Sequence, residues 1–269
     1  MKLKHMTIYA IEDQVYYKLI EYNNPATARA YEGYKAVQAF KRRQNTTDED
    51  VIGLLDRSNV NVLDENSNKD AAIVSTQRDL IAGEVSKDIA RRKLIPTDIL
   101  EAHDSGAIHF HDMDYIIQPM FNCCLINLED MLTNGTVING KRIDTPKSFQ
   151  VACTVTTQII AQVASGQYGG QSINGIDRIL APFVRKSYEK ILNNVIEEQV
   201  EIYGMEPNME KAREIAWKRT RKEVKDGIQT IQYQINTLMT TNGQSPFVTL
   251  FMYFQPDYEY AKEAALITE

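Results

Sequence analysis

Apolar residues recur every three or four positions along most of the chain, which is the spacing of a helix with one buried face. The segment STQRDLIAGEVSKDIARRK, residues 75–93, is a clear case, and Ser75 or Thr76 is its expected N-cap. Two short apolar runs rich in β-branched or aromatic residues instead predict strands, FNCCLINL and PFVTLFMYF. Further helices are predicted over residues 12–22, 25–43, 96–106, 145–166, 174–200 and 207–243, and one more begins at residue 257.

The order of these elements predicts an α/β fold, because strands alternate with long helices. A polar stretch, QNTTDED, separates the first two helices from a larger and more apolar unit, and Thr47 within it is a candidate N-cap. We therefore expect two domains, residues 1–46 and residues 47–269. The chain ends with a predicted strand and the beginning of a helix, which favours truncation within a repeating α/β pattern. The alternative is a natural C-terminal helix that packs on the sheet.

The amino-acid composition limits which partners and which cellular location can be expected for this chain. A net charge of −6 and an isoelectric point near 5.4 argue against nucleic acid as the partner. The chain has no long uncharged apolar run, and MKLKHMTIYAIEDQ lacks the apolar core of a signal peptide, so a cytoplasmic location without a membrane partner is expected. Three cysteines, an odd number, predict free thiols and not a disulfide framework.

The segment GAIHFHDMDYIIQPMFNCCLINL, residues 106–128, concentrates the residues that can carry chemistry. On a strand, His109 and His111 would point to the same face. With Asp112 beside them they could bind a metal, contact a polar substrate, or form a structural pair satisfied by backbone groups. Their spacing alone leaves these three interpretations open.

The adjacent cysteines of the same segment would face opposite sides of a strand. One of Cys123 and Cys124 would then belong to the core, and the other would face a cavity. A free cysteine is more often a small buried hydrophobe than a reactive group. Cys153, within a predicted helix, is interpreted as a helix-packing residue.

Several segments together resemble the class III anaerobic ribonucleoside-triphosphate reductases, in order and without large gaps from about Asn59 to Phe254. Residues 13–43 are also similar to the last helices of the regulatory ATP-cone that often precedes this family's barrel. The glycine-containing nucleotide-binding hairpin that begins such a cone has no counterpart here. The segments that carry the main resemblance are residues 59–90, 103–115, 121–135, 144–170 and 236–254.

The resemblance implies a fold and a reaction. The fold would be the first half of a ten-stranded α/β barrel of the glycyl-radical and ribonucleotide reductase type, preceded by helices like the end of an ATP-cone. The reaction would replace the ribose 2′-hydroxyl of a ribonucleoside triphosphate by hydrogen. The family's reducing cysteine on the first barrel strand matches Cys123, which leaves Cys124 as the buried neighbour.

The resemblance also implies roles for individual side chains. His109 and His111 match the family's H-x-H-D segment and are expected to contact substrate, with Asp112 orienting them, and Asn122 is expected beside the substrate. Arg78 would either hold phosphate or brace the barrel through a buried ion pair with Asp79. Effector contacts are expected at Asp144, Lys147 and Gln158, where the lysine meets a phosphate and Gln158 reads a base edge; the alternative is a solvated cap and a polar interface residue.

Cofactors and partners follow from the family as well. The glycyl radical, a structural zinc held by four cysteines and the thiyl cysteine would lie beyond Glu269, so we expect this chain to be inactive alone and to bind no metal itself. Expected partners are ribonucleoside triphosphate substrates, deoxynucleotide and ATP effectors, a radical S-adenosylmethionine activase with an iron–sulfur cluster, and a second copy in a homodimer. Two alternatives are a non-catalytic deoxynucleotide-binding module of the same fold, and a metal-binding α/β protein that uses His109, His111 and Cys123.

Overall fold

The computed structural model describes residues 8–43, 47–58, 70–202, 204, 206–241, 243, 245–253 and 255–269. The chain divides into two compact units, residues 1–67 with 71–119 and residues 68–70 with 120–269. The predicted domain boundary at residue 46 lies outside the described residues, and so do residues 59–69 of the first segment that carries the family resemblance.

The first unit is helical in its described part. As predicted, Pro25 begins a helix, where its missing N–H costs nothing. Thr47 was predicted as an N-cap but is the first residue of the next helix. Gly106 follows the last helix with a φ of +76°, a conformation that glycine adopts without strain. The helices are α1 (Ile8–Glu21), α2 (Pro25–Arg43), α3 (Thr47–Leu55), α4 (Val74–Ile89) and α5 (Thr97–Asp104); a π-helical turn (Ala90–Leu94) continues α4, and a 3₁₀ turn spans Met113–Tyr115.

The predicted N-cap of α4 is wrong. The helix begins at Val74, with Ile73 in the N-cap position and no side-chain hydrogen bond to the first turn. Thr76 lies inside that turn and is completely buried, so its side chain contributes to packing and does not cap the helix.

The second unit is built around a parallel sheet of three short strands in the order β1-β4-β5. Cys124 of β1 pairs with Gln171 of β4, which pairs with Val248 of β5. The sequence predicted β1 and β5, each longer than observed, but not β4 or the separate β2-β3 hairpin. The elements are β1 (Cys124–Ile126), α6 (Leu128–Thr133), β2 (Thr136–Ile138), β3 (Lys141–Ile143), α7 (Phe149–Ala164), β4 (Gln171–Ile173), α8 (Ile176–Glu197), a π-helical turn (Glu198–Ile202), α9 (Met209–Thr237), β5 (Val248–Leu250) and α10 (Ala261–Thr268).

One face of this sheet packs on the core of the second unit. Ile126 and Ile173 belong to the buried cluster, and Cys124, Val248 and Leu250 pack against it. Helix α7 belongs to the same core, and nine of its sixteen residues are buried. Alternation along the strands therefore leaves the intervening side chains on the other face.

Side chains from two neighbouring helices satisfy the N-terminus of α7. The Phe149 N–H donates to Ser187 Oγ on α8 at 2.8 Å, and the Ser187 hydroxyl donates to Glu223 Oε1 on α9 at 2.8 Å. The Gln150 N–H donates to the same carboxylate oxygen at 3.2 Å. These bonds pair N–H groups that a helix leaves free at its start. The predicted start at Thr145 is four residues early, and Ser148 is the observed N-cap.

Helix α8 runs from Ile176 to Glu197 with Pro182 inside it. The predicted position of this proline within a long helix is therefore confirmed. Arg185 of the same helix donates from Nε to Glu263 Oε1 of α10 at 2.5 Å, and Glu263 is completely buried. This ion pair fixes α10 to α8.

The buried thiol of Cys153 on α7 predicts a loss of stability at alkaline pH. Burial, and secondarily the Glu223 carboxylate, raises the pKa of this thiol from 9.0 to about 12. A pKa raised by folding stabilises the protein below pH 9, and this stabilisation is lost as the pH rises toward 12 because only the unfolded chain releases the proton. We expect the free energy of unfolding to fall by about 1.4 kcal/mol per pH unit in this window through Cys153 alone.

Urea unfolding at about pH 9.5 and pH 11 measures this effect, with Cys153→Ala as the control for the tyrosines and lysines that titrate in the same range. The wild-type chain should lose more stability than the variant between the two pH values. Equal losses in both proteins would mean that Cys153 is not buried as a thiol.

Candidate functional site

Cys123 lies at the entrance of β1, and its side chain is exposed. The next two residues alternate: Cys124 packs against the core, and Leu125 is 84% exposed on the opposite face. The two cysteines therefore point to opposite sides, as predicted from the strand period. An exposed thiol followed by a half-buried one makes Cys123 the cysteine that can meet a ligand.

The face of the sheet that carries Leu125 is continued by the two neighbouring strands. Leu125 pairs in register with Ser172 of β4, which pairs with Thr249 of β5. Thr249 is exposed and Ser172 is half-buried. Cys123, two residues before Leu125, thus stands at the edge of an accessible sheet face that carries the apolar Leu125 together with the hydroxyl groups of Ser172 and Thr249.

Asn122 holds the Cys123 thiol. The Cys123 S–H donates to Asn122 Oδ1 at 3.3 Å, and the Asn122 carbonyl accepts the Gly169 N–H at 2.8 Å. Asn122 is thereby fixed by the neighbouring segment and in turn orients the sulfur. The structure brings together these two predicted site residues.

A cluster of three imidazoles lies in the first unit. The ring centroids of His109 and His111 are 5.4 Å apart in an edge-to-face arrangement, and His103 on α5 is 5.6 Å from His109. The Phe110 N–H between them donates to His103 Nδ1 at 3.1 Å. His103 was not predicted from the sequence, although its position six residues before His109 and near the end of a helix was a usable signal.

The backbone of this histidine segment is irregular and not the strand assumed from the sequence. The reason is local: Asp112 adopts a left-handed conformation with a φ of +59°, which ends any extended run. His111 Nδ1 pairs with Asp112 Oδ1, so the expected partnership of these two residues is present. Both His109 and His111 are exposed and free to meet a polar ligand.

The described residues contain no group of three or more histidine, cysteine, aspartate or glutamate side chains arranged to hold a metal ion. Cys123 belongs to the second unit and the histidines to the first. The metal-binding alternative therefore has no support from the geometry within either unit.

Arg78 lies on α4 with an exposed side chain, whereas Asp79 is half-buried. An exposed guanidinium does not fit the buried ion pair that was one of its two predicted roles. The other role, contact with a phosphate, stays a prediction.

The three predicted effector residues lie in the second unit and are all exposed. Asp144 precedes α7, and Arg142 Nε approaches its Oδ1 at 3.6 Å. Lys147 also precedes α7, and Gln158 lies on the exposed side of that helix. Arg142 was not predicted because the hairpin that carries it was missed, yet Asn139-Gly140 between alternating residues is a strong hairpin signal.

An apolar groove of about 440 Å³ lies elsewhere in the second unit, between α9, β5 and α10. Ile231, Val248 and Ile267 are among the side chains that line it. None of the predicted site residues contributes to this groove, so it is separate from the Cys123 region.

Comparison with known proteins decides the family. A model of the anaerobic ribonucleoside-triphosphate reductase family matches residues 65–269. The chain belongs to this family. It is 44% identical over 234 residues to the anaerobic ribonucleoside-triphosphate reductase of Haemophilus influenzae and 46% identical over 224 residues to that of Escherichia coli. The phage T4 enzyme is 42% identical over 206 residues.

These alignments cover 86%, 82% and 76% of the chain but only 32%, 30% and 32% of the respective relatives. The chain thus spans about a third of the length of the family members that it matches. The predicted family resemblance is confirmed.

Solved structures show the same fold relationship at low sequence identity. The crystal structure of the Thermotoga maritima anaerobic ribonucleotide reductase in complex with dATP and CTP matches with a TM-score of 0.51 and 13% identity, covering 84% of this chain and 41% of that one. The structure of the same enzyme with MES in its active site covers the whole chain at a TM-score of 0.51. The α/β fold class is therefore confirmed. In the described residues, no helix combines the length and apolar character needed to cross a lipid bilayer.

Proposed function

We propose that this chain is the N-terminal portion of an enzyme that reduces ribonucleoside triphosphates to 2′-deoxyribonucleoside triphosphates under anaerobic conditions. The observation that carries the proposal is the exposed Cys123 thiol, held by Asn122 within a region that matches the reductase family from residue 65 to residue 269. The sheet face beside this thiol is accessible, and the hydroxyl groups of Ser172 and Thr249 on it can contact a ribose.

Cys123 donates hydrogen in the proposed reaction. Its S–H bond breaks as a C–H bond forms at the ribose 2′ carbon, and the 2′-hydroxyl takes up a proton and leaves as water, so the net reaction consumes two electrons and two protons. Radical chemistry supplied by the family's glycyl radical initiates the reaction, and an external reductant, formate or a small thiol protein, supplies the electrons. Positioning of the donor by a short strand and a fixed asparagine is what such a transfer needs. His109 and His111 contact the ribose or its phosphates, and Arg78 contacts phosphate.

The second unit contributes the first strands of the family's ten-stranded barrel in this proposal. The parallel order β1-β4-β5, with long helices between the strands, supports it. The antiparallel pair α1 and α2 corresponds to the end of an ATP-cone. We also propose that the domain boundary lies near residue 46, where the cone-like helices meet the reductase region.

Specificity effectors bind near the start of α7. Lys147 meets an effector phosphate, Asp144 and Arg142 flank it, and Gln158 contacts a base; the exposed positions of all four support this role. The Thermotoga relative was crystallised with dATP and CTP, which fits an effector and a substrate for the present chain as well. The exposed side of α7 would meet a second copy in a homodimer.

The remaining proposed partners are those that membership of the family implies. An iron–sulfur radical S-adenosylmethionine activase would generate the glycyl radical, and zinc would occupy a four-cysteine site. The described residues provide no donor set for zinc, so no step of the proposed chemistry on this chain involves it. The sensitivity of such a radical to oxygen would confine the reaction to anaerobic conditions, and the cytoplasm is its proposed location.

Reconstitution tests the proposal. This chain is joined to the portion of the reductase that the matched relatives possess beyond it, and the product is treated anaerobically with the activase. We expect a glycyl-radical signal in electron paramagnetic resonance and conversion of ribonucleoside triphosphate to the deoxy product. Deoxynucleotide binding without any radical signal or product would instead support the regulatory-module alternative.

A further inference from the structure

The segment that follows α7 runs parallel to the chain that carries Cys123. The Phe121 N–H donates to the Gly166 carbonyl at 3.3 Å, and the Tyr168 N–H donates to the Phe121 carbonyl at 3.1 Å. The Cys124 N–H donates to the Gly170 carbonyl at 3.1 Å. Backbone bonds therefore tie this segment to the residues on both sides of the reactive thiol.

Gly169 makes the closest approach within this pairing. A Cβ added at Gly169 would lie 2.3 Å from both the carbonyl oxygen and the Oδ1 of Asn122. Both atoms belong to the residue whose Oδ1 accepts the Cys123 thiol proton. A side chain larger than hydrogen at position 169 therefore cannot be accommodated unless Asn122 and the Gly169 backbone move apart.

We infer that Gly169 is a positioning residue for Cys123. Its missing side chain lets Asn122 lie close against the backbone, and this placement aims Asn122 Oδ1 at the thiol. The role of Gly169 in reduction rests on the proposed function, because it acts only through the cysteine that donates hydrogen. The geometry of the thiol itself can be tested without that reaction.

Alkylation of the three cysteines by iodoacetamide, followed by peptide mass spectrometry on the intact 269-residue chain, measures the state of each thiol separately. In Gly169→Ala the displaced Asn122 releases the thiol from its acceptor. Cys123 should then react about three- to tenfold faster, the range expected for loss of one weak hydrogen bond. Asn122→Ala removes the acceptor directly and should give an increase of the same size.

Gly166→Ala is the matched control in the same segment. A Cβ there meets only the Val163 carbonyl, at 3.7 Å, which is an ordinary contact. Its carbonyl remains available to Phe121, so the rate at Cys123 should match that of the unaltered chain.

The alkylation rate of Cys124 distinguishes a displacement of Asn122 from a general loosening of the strand. Cys124 packs against the core beside Cys123, and in Gly169→Ala it should stay slow to react. Parallel acceleration of Cys123 and Cys124 would show that the strand has opened and would overturn the inference. So would equal Cys123 rates in Gly169→Ala and Gly166→Ala. Because iodoacetamide needs neither a radical nor a ribonucleotide, failure of the proposed reduction leaves this test intact.

Discussion

Cys123→Ser in the reconstituted reductase should lower deoxynucleotide formation by at least about a hundredfold. The O–H bond of serine is much stronger than the S–H bond of cysteine, so the hydroxyl does not replace the thiol as a hydrogen-atom donor. The change is small in volume and falls on an exposed side chain, so folding should be unaffected. Product formation is measured by chromatography, and the glycyl-radical signal is recorded on the same sample.

The neighbouring Cys124→Ala variant is the control for this experiment. Cys124 packs against the core, and alanine is a smaller apolar residue, so the variant should keep a reductase rate within about tenfold of the wild type. An inactive Cys124→Ala enzyme beside an active Cys123→Ser enzyme would reverse the assignment of the two thiols. A normal radical signal in Cys123→Ser would place the defect after radical formation.

Helices of this protein could be predicted well from its sequence, because their signals are local. Proline at the first position of α2 and glycine after α5 act within one turn of the chain. The N-terminus of α7 was misplaced although it has a local signal, because its N-cap Ser148 accepts the Val151 N–H. The N–H groups of Phe149 and Gln150 are satisfied by Ser187 and Glu223, 38 and 73 residues away, and such bonds leave no trace in the neighbouring sequence.

Strands were predicted less well for a related reason. Each strand of the parallel sheet has only three residues, so the apolar runs FNCCLINL and PFVTLFMYF overestimated their lengths. The strand β4 follows directly after a Gly-Gly pair, which by itself predicts a turn. It is a strand because β1 and β5 pair with it on both sides.

Some residues of the candidate site could likewise be predicted from their local sequence, and others could not. Strand alternation alone separated Cys123 from Cys124, and the family resemblance then selected Cys123. Gly169 was not predicted, because it acts on Asn122, which folding brings near it. His103 was not predicted either, although its contact with the Phe110 backbone spans only seven residues of sequence. A positioning residue such as Gly169 is recognised from its contacts in the folded chain, whereas Cys123 could be recognised from the chemistry of its side chain.

Phe149→Ala is expected to destabilise the second unit more than any surface change, by about 3–5 kcal/mol of unfolding free energy. Phe149 is 0% exposed at the start of α7, and its ring lies so close to α9 that a Cβ on Gly227 would approach it to 2.6 Å. Alanine keeps the backbone bond to Ser187 but leaves a cavity between the helices. Phe121→Ala makes the same chemical change at a side chain that is 78% exposed and should cost less than about 1 kcal/mol. Urea unfolding of both variants measures the difference, and equal midpoints would contradict the packing of α7 against α9.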